Sequence, residues 1–200
     1  MTADRASEHR AAADDKTALR RLYRRRRREA VLASPEAIAA AAAAALPALV
    51  GPGQRLGLYW PIGHEPSLLS LTTQTSGEPP QRLALPMVRG DQLLYGPWQP
   101  GEVLSPDACG IPAPEENTTP LEPAELALLL VPALALDRHG VRLGSGGGWY
   151  DRLRVDPAWR SVPALAVLPA ACLTELLPRD SWDVPFDGWL DERGVHWLES

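Results

Sequence analysis

An α/β fold, a three-layer α/β/α sandwich around a mostly parallel or mixed central sheet, is what this 200-residue sequence predicts, on three observations. Leu126–Val131 and Pro163–Leu168 are continuous rather than alternating apolar runs, the pattern of strands covered by helices on both faces. Helical patterns interleave with these and other short strand-like runs, which argues layers of strands and helices. The composition, 45% hydrophobic and 22% charged, supplies apolar side chains for one core, and the length suits one domain by the prior of ~100–200 residues per domain. No internal repeat is visible.

Residues 1–15 hold Ala, Asp, Glu and Arg with no large apolar residue beyond Met1, and read as a mobile tail ahead of a single domain over residues 16–200. From Lys16 to Leu32, the positions Leu19, Leu22, Tyr23, Ala30 and Val31 have helical spacing. Ser34-Pro35-Glu36 offers a cap, a first-turn proline and an acidic first turn for a second helix, which Gly51 ends. Arg55–Trp60 predicts a short strand, Pro61–Glu65 a loop and Pro66-Ser67 the start of a short helix. Leu83–Val88 and Gln92–Trp98 predict two strands around the turn Arg89-Gly90-Asp91. Six prolines between positions 99 and 123 make that stretch an extended surface loop.

The N-terminal 28 residues carry a local net charge of +6 within a chain whose formal net charge is −5, so any anionic partner meets that segment. Of twenty basic residues, nineteen are arginines, and Lys16 is the single lysine. Cys109 and Cys172 lack any metal-ligand spacing, which argues against a zinc or disulfide framework and favours reading them as buried spectators. Without an apolar run of about 18–20 residues or the apolar centre of a secretory signal, the expectation is a cytoplasmic protein with no membrane partner.

The segment with the sharpest chemical character is Arg142-Leu-Gly-Ser-Gly-Gly-Gly-Trp-Tyr-Asp151. Its glycines let backbone N–H groups approach a ligand and face inward, a geometry that holds phosphate oxygens, and a helix starting just beyond adds its positive end. Neither GxGxxG nor the Walker pattern fits, since position 149 is Trp and no Lys-Ser/Thr follows the glycines. A flexible loop without a ligand stays open on these residues alone. Arg142 offers a forked cation for phosphate, and Asp151 a hard oxygen ligand for Mg²⁺.

Lys16-Thr-Ala-Leu-Arg20, Tyr59-Trp-Pro-Ile-Gly-His-Glu65, Leu85-Pro86, Gly110-Ile-Pro112, Val131-Pro132, the block from Asp137 through Arg152, and Asp183-Val-Pro-Phe-Asp187 follow in this order. In that order and rough spacing the chain resembles the 5-formyltetrahydrofolate cyclo-ligases, also called methenyltetrahydrofolate synthetases, from about Lys16 to about residue 192. The resemblance implies ATP- and Mg²⁺-dependent closure of 5-formyltetrahydrofolate to 5,10-methenyltetrahydrofolate with release of ADP and phosphate. It assigns Lys16 and Arg20 to the nucleotide phosphates, with Lys16 and Arg142 as the catalytic cations. The loop of Arg142, Gly144, Ser145, Gly146, Gly147, Gly148, Trp149 and Tyr150 would wrap the ATP. Glu65, Trp60, Trp149 and Tyr150 would border the folate, and Asp151 and Asp183 would hold the magnesium ion. The implied partners are these small molecules, and the implied state is a monomer.

The chain departs from the family pattern at Ser67 and Leu68, where an acidic residue and a threonine are usual, at Ala113-Pro114, where Glu-Pro is frequent, and at Trp149, where a tyrosine is usual. A substrate-shifted or non-catalytic nucleotide- or folate-binding relative is therefore one alternative. A nucleic-acid-binding protein using Arg24–Arg28 is another, although those arginines point around most of a helix rather than along one stripe. His64 reads as a pterin contact or as a solvated loop histidine, and most of the seven tryptophans as packing.

Overall fold

The computed structural model describes residues 2–73, 82–180 and 182–199, with side chains from Asp15 onward, and a seven-stranded sheet forms its middle layer. Its strands are β1 (Arg55–Gly57), β2 (Arg82–Arg89), β3 (Gln92–Trp98), β4 (Leu126–Pro132), β5 (Ala164–Val167), β6 (Gly188–Asp191) and β7 (Gly194–Trp197). They lie in the order β7-β6-β5-β4-β1-β2-β3. The five central strands run parallel, and the antiparallel hairpins β2–β3 and β6–β7 place an opposed strand at each edge.

The continuous apolar runs have the predicted cause. On β4, Leu128 and Leu130 face one core while Leu129 and Val131 face the other. On β5, Leu165 and Val167 likewise oppose Ala164 and Ala166. Helix α2 (Ala37–Leu49) covers the first face through Ile38, Ala39, Ala42 and Leu46. Helices α1 (Thr2–Ala33), α3 (Trp149–Val155) and α4 (Pro157–Arg160) cover the second, where Tyr23, Leu153 and Trp159 join the core. Burying both faces of a strand removes the polar alternation that a one-sided sheet shows.

Several boundaries differ from the sequence reading. Helix α1 starts at Thr2, so its bounds take in residues 2–15; Ala, Glu and Arg are strong helix formers and extend the helix backwards from Lys16. The α2 N-cap is Glu36 with no side-chain cap bond, and Ser34 enters only through its carbonyl, which accepts from the Ala37 N–H. Strand β1 stops at Gly57 rather than Trp60: the Leu58 N–H still donates to the Ala84 carbonyl, and the chain then leaves the sheet towards Pro61. The short helix after Pro66-Ser67 is one 3-10 stretch, Leu69–Thr73. Within the proline-rich loop, Ser105–Pro106 pairs with Pro112–Ala113. The β6–β7 hairpin has too short and too polar a sequence to announce itself, with Asp191, Arg193 and His196 within it.

A three-stranded sheet of Leu173–Thr174, Ala135–Asp137 and Arg142–Leu143 carries the chain from β4 into the glycine loop. The Leu58–Glu65 segment leaves the carboxyl end of parallel strand β1, where ligands bind in open α/β sheets, and the glycine loop, which follows the short antiparallel strand Arg142–Leu143, lines one cleft with it. Among the described residues, no single helix is long and apolar enough to cross a membrane.

Candidate active site

One face of α1 organises the site. Lys16, Arg20, Arg24 and Arg27 recur at helical spacing, and they hold different segments around the cleft. The Lys16 ammonium lies 2.6 Å from Asp180 Oδ2 and 3.1 Å from Asp183 Oδ2. Arg20 Nε donates to the Gly144 carbonyl at 3.2 Å, and Arg24 donates to the Ser145 carbonyl at 3.1 Å. Arg27 donates from NH1 to Glu65 Oε1 at 3.4 Å and to the Ala133 carbonyl at 3.3 Å. The helix thus grips the glycine loop, the aspartates before β6 and the acidic end of the β1 loop together.

The glycine loop turns where side chains are disfavoured. Gly146 and Gly148 have φ of 118° and 65°, in the left-handed region where a Cβ is strained. A Cβ on Gly144 would lie 2.6 Å from Arg142 NH1, so this glycine leaves room for the guanidinium. Arg142 is nearly buried, with a side chain 5% exposed. It donates to the Pro132 carbonyl at 3.3 Å, pairs with Asp151 at 3.4 Å, and stacks on Tyr150 and Phe186. Its Nε is buried with no hydrogen-bond partner, an unmet donor that suits an anionic ligand.

The cleft beside these groups holds about 750 Å³ counted out to its open mouth. Its walls include Tyr59, Trp60, Glu65, Trp149, Tyr150, Arg142 and the glycine loop. Trp60 is fixed edge-on against Trp98 at 6.4 Å, and Trp149 lies under Arg152 at 4.5 Å. Burial raises the Glu65 carboxyl above the ordinary carboxylate range, against the opposing pull of the Ile62 N–H and of Arg27 and Arg142. Burial likewise raises the Tyr150 phenol, and nearby Glu65 adds to the effect. Burial disfavours the Lys16 ammonium, yet hydrogen bonds to Asp180 and Asp183 and their charges leave it above its ordinary value. A wider trough of about 1260 Å³ against Met87, Arg89, Glu115 and Glu116 lies outside the row of cations. The narrower cleft is the better candidate, because flat rings, a carboxylate and an unmet guanidinium donor converge there.

Of the residues the sequence reading singled out, Trp60, Glu65, Arg142, Gly144, Ser145, Gly147, Gly148, Trp149 and Tyr150 line one cleft, while Gly146, Lys16, Arg20, Asp151 and Asp183 lie outside its walls. Lys16 and Arg20 lie on the same α1 face, one turn apart, as expected from their spacing. Asp151 and Asp183 are held by different cations, Asp151 by Arg142 and Asp183 by Lys16. Among the described residues, no three His, Cys, Asp or Glu groups converge as a metal cage. Magnesium bound with a nucleotide takes only one or two carboxylates beside phosphate oxygens and water, so a pair of part-buried hard-oxygen donors fits it.

Asp180 was not singled out from the sequence, and Arg24 and Arg27 entered that reading only within the Arg24–Arg28 run of the nucleic-acid alternative, not as residues that hold the site. Reading the arginine run at helical spacing from Lys16 and Arg20 would have found these two arginines. His64 is exposed and Cys109 is exposed rather than buried, although Cys109 edges the cleft. Cys172 is buried, as expected. Of the tryptophans, Trp98 and Trp159 pack in the cores, while Trp182 and Trp197 are exposed.

The molecule is thus an α/β protein that sets a glycine loop, a row of basic side chains and an aromatic, acid-lined cleft side by side. The chain belongs to the 5-formyltetrahydrofolate cyclo-ligase family, whose model matches residues 12–191. A 5-formyltetrahydrofolate cyclo-ligase of Mycolicibacterium smegmatis is 34% identical over 139 residues, covering 66% of this chain and 70% of that protein. The Escherichia coli K12 protein of the same name is 29% identical over 109 residues, covering 52% of this chain and 60% of its own. The NMR structure of the Aquifex aeolicus 5,10-methenyltetrahydrofolate synthetase superposes with a TM-score of 0.72 at 28% identity, over 92% of this chain and 93% of that one. A Mycoplasma pneumoniae 5,10-methenyltetrahydrofolate synthetase, 21% identical, shares the fold with a TM-score of 0.64 over 89% of this chain and 99% of that one.

Proposed function

We propose that the protein uses ATP and Mg²⁺ to close 5-formyltetrahydrofolate to 5,10-methenyltetrahydrofolate, releasing ADP and phosphate, as a monomeric cytoplasmic enzyme whose domain is residues 16–200. The observation that carries this is the junction at Arg142: a nearly buried guanidinium with an unmet donor stands where the phosphate-type loop meets Glu65, Trp149 and Tyr150.

The formyl oxygen is a poor leaving group as it stands. Its attack on the γ-phosphorus breaks the bond to ADP and makes phosphate the leaving group; N10 then attacks the formyl carbon and loses its proton, and phosphate departs with the C–O bond. Such transfer needs positioning and charge neutralisation more than covalent help. Lys16, Arg20 and Arg142 supply cations, the N–H groups of Gly144, Ser145, Gly146, Gly147 and Gly148 can hold the transferring group, and Trp149 and Tyr150 flank it. Glu65 with Trp60 orients the pterin. Asp151 and Asp183 would hold magnesium, which when bound neutralises phosphate charge.

The departures from the family pattern favour retained chemistry. Leu68 and Ala113 are buried in the protein and Ser67 is exposed, and none of the three borders the cleft. Turning Arg20, Arg24 and Arg27 inward leaves α1 a weak nucleic-acid surface, the more so as Arg25 pairs with Glu29 and Arg26 lies over Tyr23. The test mixes protein, ATP, Mg²⁺ and 5-formyltetrahydrofolate and follows the near-ultraviolet absorbance of the methenyl product beside phosphate release. One phosphate per product, and none without folate, is the expected result. Phosphate release at a comparable rate without folate points to an unrelated ATPase, and nucleotide binding without product to a non-catalytic relative.

A further inference from the structure

The outward face of α1, the trough between the end of β2 and the proline-rich loop, and the buried Asp191 hairpin each lack any feature that points to a ligand. The buried pair of Arg27 and Glu65 does more. Both residues are almost fully buried, at 6% and 7% exposure, yet Glu65 borders the cleft while Arg27 stands behind it and does not. Arg27 NH1 spans Glu65 Oε1 and the Ala133 carbonyl just past β4, so the carboxylate is tied to the end of the sheet. The Ile62 N–H donates to the other oxygen, Oε2, at 3.1 Å. One carboxylate is therefore oriented from two elements, α1 and the β1 loop. A tie from a helix 38 residues away in sequence is unnecessary for a loop that already closes on its own backbone.

We infer that Arg27 is a positioning residue for the folate: from outside the cleft it holds the Glu65 carboxylate in place towards the ring system that Glu65 would contact. This rests on the proposed substrate. The charged and titratable groups facing Glu65 are Arg27 from α1, Arg142 from the strand before the glycine loop, Tyr59 after β1 and Tyr150 from α3. Burial favours the neutral acid and both arginines oppose it, so removing Arg27 raises the carboxyl further. A neutral Glu65 has lost the charge that strengthens its hydrogen bonds to a donor ring.

The experiment compares wild type, Arg27→Met, Arg27→Lys, Glu65→Gln and Arg27→Met/Glu65→Gln by steady-state kinetics from pH 5 to 9, with circular dichroism confirming each fold. In Arg27→Met, the KM for 5-formyltetrahydrofolate rises on the order of tenfold at neutral pH, and the acid limb of kcat/KM moves up by about one pH unit or more, while the KM for ATP holds. Arg27→Lys keeps a cation there and restores most of the limb. Glu65→Gln has no such limb, and adding Arg27→Met to it changes the folate KM by less than about twofold, since the two act as one unit. If Arg27→Met does not fold, Arg27→Lys and the double variant, whose buried pair is neutral, decide the matter. A limb unmoved in folded Arg27→Met overturns the inference, as does a folate KM in the double variant raised well beyond twofold over Glu65→Gln. Wild-type protein that does not turn over 5-formyltetrahydrofolate overturns the functional reading instead, and the inference with it.

Discussion

Lys16 is the only compact ammonium in a chain that otherwise uses guanidinium, and it sits between two aspartates at 2.6 and 3.1 Å. A charge-assisted phosphate contact is worth roughly 1.5–3 kcal/mol, so Lys16→Ala should raise the KM for ATP by about 10- to 100-fold and leave that for folate within about threefold. Steady-state titration of each substrate checks this; an unchanged ATP KM removes Lys16 from the nucleotide site. Asp151 lies in the first turn of α3 and pairs with Arg142. If it only interacted with the helix terminus, replacing it would cost about 0.3–1 kcal/mol of stability and little activity. As a magnesium ligand it behaves differently: Asp151→Asn should abolish most turnover at ordinary Mg²⁺, raise the Mg²⁺ requirement and leave folate binding largely intact. Titrating Mg²⁺ against initial rate for wild type, Asp151→Asn and Asp183→Asn tests both aspartates, and identical curves remove them from the metal site.

At the scale of elements, α1 is the clamp and the β6–β7 hairpin is the anchor. The segment before β6 carries Asp180 and Asp183 to Lys16, and its course is fixed by Arg154, which donates to the Pro185 carbonyl and to Asp187. The hairpin depends on close approach of its two strands: a Cβ on Gly188 would stand 2.1 Å from the His196 carbonyl oxygen. Backbone must shift to admit it. Gly188→Ala should therefore destabilise the fold by about 2 kcal/mol or more, in the range of overpacking at a buried site. Urea unfolding measures this, and a midpoint equal to wild type would show that the edge of the sheet yields freely. Periodicity could not announce this hairpin, because its strands are four residues each and its charged groups satisfy one another around Asp191.

For the whole molecule, buried acids set the alkaline limit: Cys172 first, then Tyr59, Tyr95 and Tyr150, whose phenols burial raises. Burial pushes the Cys172 thiol from 9.0 up to about 11. A raised acid favours the protonated native state, so its contribution is complete below the unfolded thiol value and is lost as pH climbs to about 11. Lys16 has the same sign: its raised ammonium keeps a proton that the unfolded chain releases first. Stability should fall between about pH 9 and 11, by on the order of 2 kcal/mol from Cys172, and Cys172→Ala should flatten that fall in thermal melts. The sequence by itself determined the layered α/β class, since runs such as Leu126–Val131 have no polar alternation to offer solvent. It also determined the glycine loop with its flanking Arg142 and Asp151, because these are adjacent and their chemistry is local. Only the tertiary structure decided that Arg27 stands behind Glu65, that Asp180 shares Lys16 with Asp183, and that Asp151 and Asp183 answer to different cations. The pairings of Arg27 with Glu65 and of Lys16 with Asp180 and Asp183 span 38 to 167 residues, and which side chains meet over such separations is set by strand order and helix packing rather than by local spacing.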